Sequence, residues 1–426
     1  MSISLSRTDE ALLVLLRRAI GTSKEKISLT HDEWKELSLA SHAHAVVPLA
    51  LDGTAGISQT IPKDVLLAWQ TLAARLQFQN EGRWVAQDRL LALLKAKKIP
   101  TVILKGTTVA VNYLNPALRT MGDVDFLIAP AQKQKCLDYL LENGFSLPRG
   151  EGTGTREIAL HDENGVLFEL HTGITGIPET HSVAEVRLRS ILARTLDSTV
   201  TREFEGHVFP APSTLLQSVI LLLHTASHLS HDGVGLRHLL DFGLFIEKEL
   251  KGQPSANMLA AWEQCGLLRF ARVLAMTAAR AFALPVREWF ASVDKAQADE
   301  MLSDFIAGGN LGKERRRREM AGLLITGKAA VASAKQSTSK RMWNNVLSST
   351  RKHYPIVTSY PILFVVALPC NLVKFGWRLC VTGQLFRTGS ALKKSRKRLT
   401  LIDSLALYDA KTSTKKKKRP MKTGKH

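Results

Sequence analysis

One stretch, from Ile103 to Ala129, limits what this chain can fold into more than any other. An apolar run, Val102-Ile103-Leu104, stops at Lys105-Gly106. A short helix-like segment follows, and a second apolar run opens with Asp123-Val124-Asp125-Phe126. The pattern reads as strand, glycine turn, helix, strand. Side chains alternate along a strand, so Asp123 and Asp125 share one face while Val124 and Phe126 enter the core. Two carboxylates on one face beside a glycine turn suit a divalent metal held for phosphate chemistry.

The flanking sequence supplies a third carboxylate. Ala131 to Asn143 has helical spacing with Gly144 placed to end it, and Glu157 to His161 and Val166 to Thr172 then alternate around Asp162-Glu163-Asn164-Gly165. Asn-Gly between two such runs is a hairpin signal. In the second strand Leu167, Glu169 and His171 share a face opposite Phe168 and Leu170. Glu169 is therefore available to join the two aspartates.

Outside this region the periodicity is helical. Helices are expected from Thr8-Asp9 to Gly21, from His31 to His42, and from Lys63 to Lys97 after Pro62, with Gly82 as a bend or interruption. A helix from Ser213 and a second to about Leu250 are separated at Gly233 and Gly235, and more follow across Ala256 to Phe282 and Asp294 to Ile306. These boundaries divide the chain into an N-terminal helical region (1–99), a mixed core (100–210), a helical domain packing on it (211–310) and a basic C-terminal region (311–426). With 58 basic against 38 acidic residues the net charge is +20, which points to anionic partners. Cys136, Cys265, Cys370 and Cys380 form no CxxC pair, so a reducing, cytoplasmic compartment is expected.

Leu104-Lys105-Gly106, Tyr113, Pro116, Arg119, Asp123-Val124-Asp125-Phe126-Leu127 and Glu169-Leu170-His171 together resemble an uncharacterised bacterial nucleotidyltransferase-like family of the polymerase-beta superfamily. The resemblance runs from about Pro100 to Asp241, because His224, His228, Arg237 and Asp241 also match its helical segment. It implies an α+β fold, with a small mixed sheet like the polymerase-beta palm between helical N- and C-terminal regions. It implies a magnesium-dependent transfer of NMP from an NTP, ATP among them, to an acceptor hydroxyl with release of pyrophosphate. Asp123, Asp125 and Glu169 would hold two Mg2+ ions. Lys105, Gly106, Thr107, Arg119 and His171 would contact the nucleotide, since fixed cations stabilise charge on the triphosphate or the leaving pyrophosphate. Lys105 and Arg119 can equally serve as surface cations or as ion-pair partners of the aspartates, and His171 as a structural histidine or one that orients Glu169. Two departures from the superfamily pattern bear on phosphate binding: Thr107 stands where serine is common, and the gap from Gly106 to Asp123 is long.

A noncatalytic nucleotide-binding scaffold at a membrane or in a polysaccharide assembly is the alternative from another class. His224 and His228 stand at i and i+4, a zinc-ligand spacing, but HExxH is absent and no cysteine is near, so no zinc is expected; the pair is read as packing against Arg237 and Asp241, a polar cluster that either pins two helices together or lines the nucleotide or acceptor cleft. Ile356 to Val373 contains no charged residue and is flanked by Arg351, Lys352, Lys374 and Arg378, with Tyr360 and Trp377 as interfacial aromatics. A helix packed on protein, peripheral attachment to an anionic inner membrane face through 356–426, and a span interrupted by Pro361 and Pro369 all remain open. The basic patch Lys313–Arg318 and the lysine-rich tail can also bind nucleic acid nonspecifically.

Overall fold

The computed structural model describes residues 5–148, 157–178, 182–230, 233–309, 343, 346–347, 350–351, 353–354, 356–381, 398 and 400–410. The basic run at 313–318, the small polar stretch at 329–340, the basic cluster 393–397 and the lysine-rich end beyond 410 lie outside them, as do the side chains of 375–381. The fold is α+β, helical at both ends around a small mixed sheet.

The first helices follow their local signals closely. Helix α1 (Arg7–Ala19) is capped by Ser6, whose hydroxyl accepts from the Asp9 amide, two residues before the expected Thr8. Helix α2 (His31–Ala43) begins with a capping box in which Thr30 and Glu33 satisfy each other's amides. After α3 (Val47–Asp52), helix α4 (Lys63–Ala96) runs unbroken through Gly82 for 34 residues, about 50 Å at 1.5 Å per residue. Its first half buries Val65, Trp69 and Ala73 in one apolar core, and its second half buries Ala86, Leu90 and Leu94 in another.

The sheet has the order β1-β2-β4-β3, comprising β1 (Thr101–Ile103), β2 (Val124–Ile128), β3 (Glu157–His161) and β4 (Leu167–His171). Strand β1 is antiparallel to β2, and the expected hairpin β3–β4 is antiparallel around Asn164-Gly165. Strand β4 returns parallel to β2, in the register Val124↔Phe168, Asp125↔Glu169, Phe126↔Leu170, Leu127↔His171. A parallel return needs a crossover, and helix α6 (Lys133–Glu142) lies within it. Val124, Phe126, Ile128, Phe168 and Leu170 turn toward α6 and the far half of α4. Each such buried side chain contributes about 1.5–3 kcal/mol, which ties the polar alternates Asp125, Glu169 and His171 to the opposite face.

That opposite face looks toward the helical core. Helices α5 (Thr107–Ala110) and α7 (Val183–Leu192) precede a second hairpin, β5 (Thr199–Phe204) with β6 (His207–Pro212), which the sequence reading does not identify. Then come α8 (Thr214–Ser230), α9 (Leu236–Glu249), α10 (Ala256–Gln264), α11 (Leu268–Phe282), α12 (Glu288–Ala291) and α13 (Lys295–Gly308). They share one core with α1–α3: Arg17 donates to the Ala281 carbonyl at 2.7 Å and Thr22 to that of Phe282 at 2.7 Å. Leu401, Ile402, Leu405 and Leu407 join the same core. Within the window 356–373 lie one helical turn, Ile356–Ser359, and the start of a helix, Phe364–Val381, that contains Pro369. Among the described residues no helix is long and apolar enough to cross a membrane.

Candidate active site

Asp125 sits at the centre of the polar face and is 1 % exposed. Its Oδ1 accepts from Lys105 Nζ at 2.8 Å and contacts His171 Nε2 at 2.8 Å, and His171 Nε2 lies 3.5 Å from Glu169 Oε2. The parallel ladder explains the meeting: Asp125 and Glu169 are register partners, and His171 lies two residues along the same face. Ligand atoms of Asp125, Glu169 and His171 all fall within 4.8 Å of one another. Glu157, opposite His171 on β3, adds a further carboxylate that the sequence reading passes over, although the same alternation could have found it.

The charges in this group set one another. Burial disfavours ionised Asp125, but Lys105 and His171 outweigh it and hold the carboxyl well below the usual range. Burial opposes charge on His171 as well, yet its bonds to Asp125 and Glu169 push its pKa up to about 9. Lys105 loses hydration and is still raised by Asp125. Asp123 moves the other way: burial and the neighbouring Asp125 both raise it, against Lys105 and Arg237. Two aspartates of which one resists ionisation form a place where added positive charge is stabilising.

A cleft of about 570 Å³ opens beside this face. Asp123, Asp125, Lys105, Gly106 and Arg237 line it together with three histidines, His224 and His228 of α8 and His238 of α9. The volume suits a nucleotide-sized ligand. Gly106 makes the turn at φ +66°, ψ −98°, where a Cβ would stand 3.3 Å from the Met121 sulfur. The helix it opens is only four residues long, so little dipole is directed at the cleft. Both threonine hydroxyls are turned inward: Thr107 donates to Gln87 Oε1 at 2.7 Å, and Thr108 to the Leu104 carbonyl at 3.2 Å.

The long connection from Gly106 to Asp123 is clamped from two sides. Asn80 of α4 donates to the carbonyls of Ala117 and Arg119 and accepts from the Met121 amide. Arg83 donates to the Gly122 carbonyl, and Arg237 of α9 to that of Thr120 at 2.8 Å. Arg119 itself is committed: Nε and Nη2 form a buried fork on Asp241 at 2.8 and 2.7 Å, and Tyr113 donates to the same carboxylate at 2.7 Å. Asp241 thus pairs with Arg119, and His224 and His228 both pack against His238 with their rings tilted to it. Arg237 is less satisfied. Burial and nearby Arg119 both oppose its charge, and its Nε has no hydrogen-bond partner among the described residues.

A family model described as an uncharacterised nucleotidyltransferase matches residues 30–283, more than half of the chain. The chain belongs to that family. No curated protein and no solved structure gives a significant match. The matched range takes in α2–α4, the whole sheet and helices α8–α11, and so every residue of the cleft described above. Membership supports nucleotidyl transfer in general terms and implies a nucleotide substrate.

Proposed function

We propose that the cleft catalyses transfer of a nucleoside monophosphate from an NTP to an acceptor hydroxyl, with pyrophosphate leaving, on a palm-like sheet of the polymerase-beta type. One observation carries this reading: the parallel register Asp125↔Glu169 sets two carboxylates side by side, with Asp123 two residues before and at the cleft wall. The donor set fits a hard divalent cation, being carboxylate oxygens in which Asp123 is raised by burial and by Asp125's charge. Asp123, Asp125 and Glu169 would hold Mg2+. When bound, magnesium neutralises phosphate charge and lowers the pKa of an attacking hydroxyl.

The protein's own groups divide the remaining work. Lys105, 2.8 Å from Asp125, is the cation that can turn from the carboxylate to a phosphate oxygen. Arg237 brings an under-paired guanidinium to the same wall, suited to a triphosphate's outer oxygens. Arg119, locked on Asp241, works as the clamp that fixes the Asp123 segment. His171 holds Asp125 and Glu169 in orientation.

The test is Asp123→Asn with Asp125→Asn in the full chain, assayed for metal-dependent pyrophosphate release from each NTP. We expect release to be abolished while the far-ultraviolet circular dichroism stays unchanged; unchanged turnover in the folded double variant would refute the reading. Calorimetry with each NTP and magnesium separates the noncatalytic scaffold, for which binding persists without release from the unaltered chain. Exposed Ile362, Val365, Val366 and Val373 favour one addition, peripheral attachment of this segment to an apolar or membrane surface, which vesicle flotation of the full chain measures.

A further inference from the structure

The histidine pair on α8 gains a third imidazole only in three dimensions. His224 and His228 lie one turn apart with ring centroids 4.5 Å from each other, and His238, from the first turns of α9, stands 5.2 and 5.3 Å from them. One ring nitrogen from each lies within 4.8 Å of those of the other two, and all three residues line the cleft. His238 is 5 % exposed, and its Nδ1 is buried without a hydrogen-bond partner among the described residues. A buried orphan of that kind costs about 1–3 kcal/mol, so the arrangement calls for a ligand.

We infer that His224, His228 and His238 form a binding site for one borderline transition-metal ion of the zinc class, with an open coordination position toward the cleft. Three imidazoles and one free position make the donor set of an open zinc site. Tetrahedral coordination with bonds of about 2.1 Å puts ligand nitrogens about 3.4 Å apart, so from separations within 4.8 Å a closure of at most about 1.4 Å suffices. Imidazole binds metal in its neutral form. Burial, Lys105, Arg237 and the neighbouring rings hold His224 and His238 well below the ordinary histidine pKa, which also disfavours an anion there. Lys105 and Arg237 oppose a dication, and Asp123 and Asp125 on the same wall offset them. Nitrogen ligands select this ion over magnesium, whose preference is the carboxylate face. A substrate oxygen entering the cleft is the group that would complete the coordination. The site stands independently of nucleotidyl transfer.

Cobalt(II) is the probe. The full chain, stripped with a chelator and returned to buffer with excess Mg2+, is titrated with Co2+ and followed by its visible d–d absorption. One equivalent is expected to bind with the intense bands of low-coordinate, nitrogen-ligated cobalt. His238→Ala should weaken that binding by at least about 100-fold, beyond the range seen for removing a mere outer-shell partner. Asp123→Asn with Asp125→Asn removes the offsetting charge and should weaken binding, but at saturating cobalt it should leave the bands in place. His224→Gln repeats the test should His238→Ala fail to fold. Absence of bound cobalt in the unaltered chain, affinity in the folded histidine variants equal to that of the unaltered chain, or bands lost only in the aspartate variant would each overturn the site.

Discussion

Asp241→Asn tests the clamp directly. The carboxylate is 3 % exposed and receives the Arg119 fork, while Arg119 is 7 % exposed and, though burial opposes its charge, is held ionised by Asp241. Removing the negative charge leaves a guanidinium buried without a counterion, at a cost of about 3–5 kcal/mol. At about 2–4 °C per kcal/mol for a body of this size, the melting temperature should fall by about 6–20 °C. Deleting the whole network with apolar residues should behave differently, because the desolvation of both charges is then never incurred. Arg119→Met with Asp241→Leu would still orphan the Tyr113 hydroxyl, so Tyr113→Phe is added. This triple variant should return to within about 2 kcal/mol of the unaltered protein, measured by urea and thermal unfolding. It also separates two roles for Arg119: a clamp leaves pyrophosphate release largely intact in the stable triple variant, whereas a direct phosphate ligand loses it. A fall of less than about 2 °C in Asp241→Asn, or a triple variant no more stable than the single one, would refute the reasoning, given the expected scale.

Three further outcomes are expected. His171 holds its proton more tightly folded, with a pKa of about 9, than unfolded at 6.5; at about 1.4 kcal/mol per tenfold, the difference is worth about 3 kcal/mol. That stability is fully present below pH 6.5 and is lost as the pH rises through about 9, so urea unfolding with chelator between about pH 6 and pH 10 should decline, and decline less in Asp125→Asn; the opposite slope would contradict it. Gly106→Ala introduces a side chain at φ +66° against the Met121 sulfur and should cost about 1–3 kcal/mol by thermal unfolding; an unchanged melting temperature would show that the turn relaxes freely. Arg237→Met should raise the KM for NTP about 10- to 150-fold, the equivalent of a charged hydrogen bond of about 1.5–3 kcal/mol; an unchanged KM would remove Arg237 from the phosphate site.

Much of the fold was legible locally. Thr30 with Glu33, Asn164-Gly165, Gly106 and the alternation of Val124, Asp125 and Phe126 each declare their structure within a few residues, because caps, turns and strand faces are set by neighbouring backbone geometry. The hairpin Thr199–Pro212 was not, since prolines and charges interrupt its alternation. Gly82 raised an interruption that packing on both halves of α4 overrides.

The sequence by itself determined that Asp123 and Asp125 share a face, that Glu169 and His171 share another, and that His224 and His228 lie one turn apart. Only the tertiary structure decided that the first two faces are one face, through the parallel register of β2 and β4. It also decided that Arg119 meets Asp241, 122 positions away, and that His238 closes on the histidine pair. Periodicity is a property of one element, read from a few residues. Convergence depends on how elements pack, and apolar burial on the far side of the sheet and across α8 and α9 sets that packing without any local signal.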